Sequence, residues 1–277
     1  MHELLIEAGR SERRYWRDLW RYRELLYILA WRDISVRYKQ TVMGVAWALI
    51  QPLAQMIVMV IVFGKVAKLP SEGGAPYALM VFAAMLPWQF FATSLSSASS
   101  SLVANANLVA KVYFPRMVIP IAAVVTSFVD FLVAFLILAA LMLWYGHPPT
   151  WRLATLPLFV ALAFLAAIGP GLLITALNVK YRDFRYVVPF LVQFGLYVSP
   201  VGFSSTVIHD AFGETAYLLY AANPMVGVID GFRWAILGGD IGLHTGVVAI
   251  SILLSVGLLA LGIWYFRRVE RTFADVI

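Results

Sequence analysis

The chain has no cysteine in its 277 residues. That excludes a disulfide framework, a thiolate metal centre and a cysteine nucleophile. Charge is scarce too. Asp, Glu, Lys and Arg make up 13% of the sequence, about half the share found in an ordinary soluble domain. Hydrophobic residues make up 62%, more than one water-soluble core can bury, so much of the chain must have lipid as its solvent. The four histidines, His2, His147, His209 and His244, are dispersed, and H-E-x-x-H does not occur. No metal site is expected from that spacing. The one Gly-Lys pair, Gly64-Lys65, is followed by Val66 and lacks the rest of a phosphate-binding loop. Residues 1–31 are rich in Arg and Glu and contain no apolar h-region, so no cleavable signal peptide is expected.

What the sequence has instead is a series of uncharged runs: 41–64, 73–110, 117–151 (interrupted only by Asp130), 153–179, 186–208 and 241–266. A membrane helix needs about 20 such residues. The second run would measure about 57 Å as one helix, too long for a bilayer core of about 30 Å. Its back half, TSLSSASSSLVANAN, is small and polar. The expected fold is therefore an all-α polytopic membrane protein with six transmembrane helices, near 41–64, 77–102, 118–145, 153–178, 186–204 and 244–266. A seventh run, 215–229, is short and broken by Asn223-Pro224. It reads as an outer re-entrant or short helical hairpin before the last span. Residues 1–40 form an interface segment, 41–266 the membrane domain and 267–277 a tail.

Charge orients these spans. With the N-terminus inside, the inner segments hold seventeen Lys and Arg: nine before Thr41, two in 103–117, three in 179–186 and three after Phe266. The outer segments hold four: Lys65, Lys68, Arg152 and Arg233. That is a strong positive-inside bias, with both termini in the cytoplasm. The net charge of +6 is thus a property of basic cytoplasmic loops, and no nucleic acid is expected as a partner.

Trp16, Trp20, Tyr27, Trp31, Ile34 and Tyr38 recur at helical spacing, while Arg13, Arg14, Arg17, Arg21, Arg32 and Lys39 lie largely off that stripe. A basic helix with an aromatic stripe lies in the plane of the headgroups, and Gln40-Thr41 would turn it upright into the first span. Such a helix anchors the topology, docks a partner or meets anionic lipid. Asp130 is the one acid well inside a span, a functional candidate by default with a structural hydrogen bond as the plainer reading. Ser94, Ser96, Ser97, Ser99, Ser100 and Ser101 place hydroxyls along the inner half of the second span. Asp230 and Arg233, three apart, fall where one helical face would let them pair.

Four stretches resemble the permeases of polysaccharide ABC exporters of the ABC-2 class, which export O-antigen, capsule or teichoic acid. VRYKQTVMGVAWALIQP is similar to the start of their first span. NLVAKVYFPRMVIP is similar to the loop between spans two and three, LNVKYRDFRYVVPF to the loop between spans four and five, and ANPMVGVIDGFRWAILG to the outer hairpin. The four occur in order and cover nearly the whole chain. The resemblance implies a transport subunit that is not itself an enzyme. It implies a homodimer in the bacterial inner membrane, paired with two copies of a separate ATPase that uses ATP and Mg. This chain would hold no cofactor. The resemblance also implies a coupling loop at Asn107, Lys111, Tyr113, Phe114, Pro115 and Arg116, with Lys180, Arg182 and Arg185 as further ATPase contacts. Its substrate would be a glycan carried on a polyprenyl pyrophosphate. Arg32, Arg37 and Lys39 are then placed for the lipid phosphate, and Asn223, Pro224, Asp230 and Arg233 for an outer gate between two copies. A secondary transporter would show charged midplane networks or inverted repeats. A membrane-embedded glycan enzyme would show clustered acids or histidines on an inner loop. The sequence has neither.

Overall fold

A computed structural model describes residues 12–39, 44–239 and 241–273. All regular structure among them is helical, as lipid requires of uncharged runs that must satisfy their own backbone groups. The elements are α1 (Glu12–Arg21), α2 (Arg23–Lys39), α3 (Gly44–Met59), α4 (Tyr77–Ala104), α5 (Ala106–Lys111), α6 (Val118–Trp144), α7 (Leu156–Lys180), α8 (Phe184–Val198), α9 (Thr206–Tyr220), α10 (Pro224–Leu237) and α11 (Thr245–Val269). A π-helical stretch, Val60–Val66, extends α3. The expected turn at Gln40-Thr41 lies outside the described residues.

Five stretches are long and apolar enough to cross a membrane: Leu49–Val66, Tyr77–Ala104, Val118–Trp144, Trp151–Lys180 and Thr245–Val269. The span expected at 186–204 is shorter. Its helix, α8, has 15 residues, a rise of about 22 Å. Pro200 explains the early stop, because the residue before a proline is pushed out of the helical region. Ser199 is indeed extended, with ψ 152°. Six full-length spans therefore become five and a shorter sixth helix.

Helix α4 is the centre of the bundle and the most buried of the long helices, while α3 and α11 are the most exposed. Phe90 of α4 meets the rings of Phe128 and Phe131 of α6 and Phe164 of α7, with centroids 5.9, 5.8 and 4.7 Å away. Lower on α4, small residues bring backbones close enough for side chains to bridge helices. Thr175 donates to the Ala98 carbonyl and Asn178 to the Ser99 carbonyl, both at 2.8 Å. Helices α7 and α11 cross at two glycines. A Cβ added to Gly262 would fall 2.2 Å from the Gly169 carbonyl oxygen.

The chain's basic residues mark the two ends. At the basic end, α5, the last turn of α7 and the last turn of α11 come together around Phe114, Met117, Phe266 and Phe273. The far end carries the segments joining α3 to α4, α6 to α7, α8 to α9 and α10 to α11. Helix α2 departs from the expected in-plane helix. It runs alongside the first half of α6, with Leu29 and Ala30 buried there. Its last turn reaches Asp130, about 18 Å along α6 from Val118. Tyr27 and Trp31 remain on its exposed side, and Trp20 is exposed on α1. The reason is the bonding of Arg37 and Tyr38 to Asp130, which draws the helix up the bundle.

Candidate functional site

Three cavities follow one another through the bundle. A basal cavity of 580 Å³ lies between α2, α4 and α6 at the basic end, lined by Arg32, Asp33, Ser100, Ser101, Asn105 and Thr126 among others. A central cavity of 730 Å³ follows, with Tyr38, Gln51, Gln55, Gln89, Thr93 and Asp130 in its walls. A third, of 610 Å³, is bounded by Gln55, Trp88, Gln89, Ser96, Gln193 and Tyr197. Arg37 and Ser97 belong to the first two cavities, and Gln55, Gln89 and Ser96 to the last two. The result is one groove walled by α2, α3, α4, α6 and α8. Its polar lining is mostly hydroxyl and amide, with four charged side chains, Arg32, Asp33, Arg37 and Asp130, in the basal and central cavities, and at mid-depth Gln89 donates to Gln55. Of the expected serines, Ser96, Ser97, Ser100 and Ser101 line this groove, while Ser94 and Ser99 are buried in helix contacts.

The charged residues of the groove form two pairs. Asp130 accepts from the Arg37 guanidinium and from the Tyr38 hydroxyl. An unpaired carboxylate at that depth would be costly, and these two donors offset the cost. Arg32 bonds Asp33 at 2.7 Å and the Asn105 side chain at 2.9 Å. Lys39, the third cation expected for a phosphate, is exposed.

At the basic end the expected coupling motif divides into two parts. Asn107, Lys111, Val112 and Tyr113 are exposed. Phe114 and Pro115 are buried, with Phe114 packed in the cluster of Met117, Phe266 and Phe273. Arg116 is turned inward onto Glu270. Phe114 and Arg116 are thus internal struts where docking residues were expected. Their apolar and charged contacts come from α1, α2 and α11, segments remote in sequence. Lys180, Arg182 and Arg185 are exposed on the adjacent α7–α8 turn.

At the far end Asn223 caps α10, accepting from the Met225 N–H at 3.0 Å and donating to Ser199 at 2.8 Å. Pro224 begins the helix, where its missing N–H costs nothing. The expected Asp230–Arg233 pair does not form. Asp230 accepts from Tyr217 at 2.8 Å. Arg233 is fully buried and donates to the Val201 and Phe203 carbonyls at 3.1 and 2.9 Å, with Glu72 at 3.4 Å. Carbonyls freed where α8 ends are closer partners for the guanidinium than a carboxylate on its own helix. Tyr77 and Tyr220 hold the Gly202 and Val198 carbonyls, so that the whole segment after α8 is bracketed.

Among the described residues no group of three or more His, Asp or Glu is placed to hold a metal. The ABC-2 type transporter profile matches residues 24–237, from α2 to the end of α10. The chain belongs to the ABC-2 type transporter family. This ABC-2 transporter is similar to the O-antigen export system permease protein RfbA of Myxococcus xanthus, 29% identical over 217 residues, 78% of this chain and 82% of that one. The protein of the same name from Klebsiella pneumoniae is 27% identical over 258 residues, 92% and 95% of the two chains. The polysialic acid transport protein KpsM of Escherichia coli is 23% identical over 215 residues, 76% and 80%. The family and the apolar helices make this transporter a multi-pass protein of the bacterial inner membrane.

The ABC-2 transporter's groove contains residues that sequence reasoning did not single out: Gln51, Gln55, Gln89 and Gln193. One signal was available. Glutamine is rare in apolar helices, and Gln51 and Gln55 are one turn apart on α3. Nothing local announced Glu270, whose partners lie at Tyr15 and Arg116.

Proposed function

We propose that this chain is the membrane permease of an ATP-driven exporter of a polysaccharide carried on a polyprenyl diphosphate. Two copies would form the channel, and two copies of a separate ATPase would supply the energy and bind the ATP and Mg. The observation that carries this reading is the groove lined by amides and hydroxyls. A neutral glycan needs hydrogen-bonding partners along its path, and fixed charges would bind an ion instead. The relatives' names, O-antigen export and polysialic acid transport, support a polysaccharide as the substrate. On α8, Tyr186, Phe190, Phe194 and Tyr197 form an exposed aromatic stripe, with Phe190 and Phe194 stacked at 6.0 Å. Aromatic faces of this kind suit the C–H faces of sugars. A second copy facing α3 and α8 would close the groove into a conduit.

In this reading α8 is the fifth of six spans and the basic end is cytoplasmic, with both termini inside. The ATPase meets Asn107, Lys111, Tyr113, Lys180, Arg182 and Arg185. The diphosphate is received at Arg32, Arg37 and Lys39, and the far-end hairpin around Asn223, Pro224, Asp230 and Arg233 is the outer gate.

The test is export in cells lacking the native permease. Gln55→Leu and Gln89→Leu keep the helices and remove the central amides, and glycan reaching the surface should fall several-fold while membrane levels hold. Normal export by the double variant would exclude the groove as the path. Orientation is checked with single cysteines at Ser71 and Lys180, since the chain has none of its own. Position 71 should label from outside intact cells and position 180 should not.

A further inference from the structure

Arg37 stands on the boundary between two cavities. With Ser97 it lines both the basal and the central one. From that position it is held to Asp130 on α6, which also accepts from Tyr38. On the basal side the same cavity offers a second guanidinium, Arg32, together with Asn105, Ser100 and Thr126. Arg32 is itself engaged by Asp33 and Asn105. Two cations and several neutral donors around one cavity make an anion site, and each cation carries a carboxylate of the protein, Asp33 on Arg32 from the neighbouring position and Asp130 on Arg37 from across on α6.

The side chains of Arg37 and Asp130 are 41% and 24% exposed, so a ligand entering the groove can reach the pair. A diphosphate carries more charge than one carboxylate and accepts two parallel bonds from a guanidinium. We propose that Asp130 is a resident counter-anion, which holds Arg37 until a diphosphate in the basal cavity takes the guanidinium and releases α2 from α6. This rests on the proposed receipt of a lipid diphosphate at Arg37 and adds the group that is displaced. Tyr38 remains on Asp130 after the exchange, so the carboxylate keeps a donor. The last turn of α2 leads into α3, whose Gln51 and Gln55 line the central cavity. Receipt of the head group and widening of the path ahead of it are then one event.

The experiment uses the full chain in phosphatidylcholine nanodiscs, with farnesyl diphosphate as the probe. Asp130→Asn keeps the shape and an acceptor for Tyr38 while removing the charge. It should bind the probe roughly fivefold more tightly, the scale of removing one partly exposed ionic competitor. Arg37→Gln should bind about tenfold more weakly. If Arg37→Gln weakens binding and Asp130→Asn fails to strengthen it, Asp130 merely positions Arg37 and the exchange is wrong. If Arg37→Gln binds normally, the receipt of diphosphate at Arg37 is itself wrong. A second measurement does not depend on folding of the Asp130 variant. Spin labels at Val36 on α2 and Thr126 on α6, both of which line the basal cavity, should move apart when the probe is added. Inorganic pyrophosphate separates the two sources. Lengthening with it means that the diphosphate alone is sufficient, and lengthening with farnesyl diphosphate only means that it must be lipid-borne. No lengthening with either, or the same lengthening with phosphatidylglycerol in place of a diphosphate, overturns the proposal.

Discussion

The carboxylate of Glu270 accepts the backbone N–H of Arg116 at 2.8 Å, and the Arg116 guanidinium returns to the Glu270 carbonyl. Tyr15 donates to the same carboxylate at 3.3 Å, with Arg267 over its ring at 4.4 Å. One acid thereby joins α1, the turn into α6 and the end of α11. Glu270→Ala leaves the Arg116 N–H without its acceptor and should cost about 1–3 kcal/mol. Thermal unfolding of the purified protein, read against Glu270→Gln, checks this.

The same residue gives a pH dependence. Burial pushes the Glu270 carboxyl above the usual carboxylate range, ahead of the opposing bonds from Arg116 and Tyr15. A raised folded-state pKa means that its contribution is full at acid pH, below the ordinary carboxylate range, and is lost as pH rises through the raised value. Glu270→Gln mimics the protonated form. Its stability relative to the unsubstituted protein should therefore increase as pH rises from the carboxylate range toward neutrality. A difference that is flat with pH would show that the carboxyl does not titrate in this way.

At the far end, Arg233 is buried against Glu72 and two carbonyls. Arg233→Met strands the Glu72 carboxylate and should destabilise by about 3–5 kcal/mol, the cost of breaking a buried pair from one side. Pairing it with Glu72→Gln should recover part of the loss. The comparison requires melting temperatures of both variants in the same detergent.

Tyr113 and Phe114 are neighbours with opposite surroundings, 63% and 4% exposed. Phe114→Ala empties a packed site and should cost about 3–5 kcal/mol, lowering the yield of folded protein. Tyr113→Ala should fold normally and, with the ATPase present, reduce export per ATP hydrolysed. Normal coupling in Tyr113→Ala would remove this residue from the ATPase surface.

Two glycines of α11 provide a matched pair. A Cβ at Gly262 meets the Gly169 backbone, whereas one at Gly257 meets nothing within 4 Å. Gly262→Ala should separate α7 from α11 and reduce folded yield. Gly257→Ala should be neutral or slightly stabilising, because alanine is the better helix former. Size-exclusion profiles of the two variants distinguish them.

The long helices were legible because lipid imposes one rule on any uncharged run. Helices α4, α6, α7 and α11 begin and end within a few residues of the windows read from the sequence. Helix α8 was overestimated, since a window that counts only charge runs past Ser199-Pro200. The course of α2 was not legible. Its aromatic stripe describes which side stays exposed, but its direction is set by Asp130, 92 residues beyond Tyr38. The same limit applies to Asp230 and Arg233. Helical spacing allowed a pair, and the carbonyls around Val201 outcompeted it. The motif at 111–116 is exposed at Lys111, Val112 and Tyr113 and buried at Phe114 and Pro115, a division that was not legible because exposure within a turn depends on what packs behind it.

Loss of one residue from Val60–Val66 should be absorbed where it occurs. This stretch carries more residues per turn than an α-helix, so removing one lets it rewind to the commoner form. A deletion between Gly44 and Met59 has no such outlet and would rotate everything after it by about 100°. Gln51 and Gln55 lie before the wide turns, and Phe63 and Gly64 lie within them, against Gly202 and Tyr77. The wide turns act as a slack joint between a groove face and an outer anchor, each of which must keep its own register. Chain-length differences within α3 among relatives should accumulate in this joint and be absent from the helix below it.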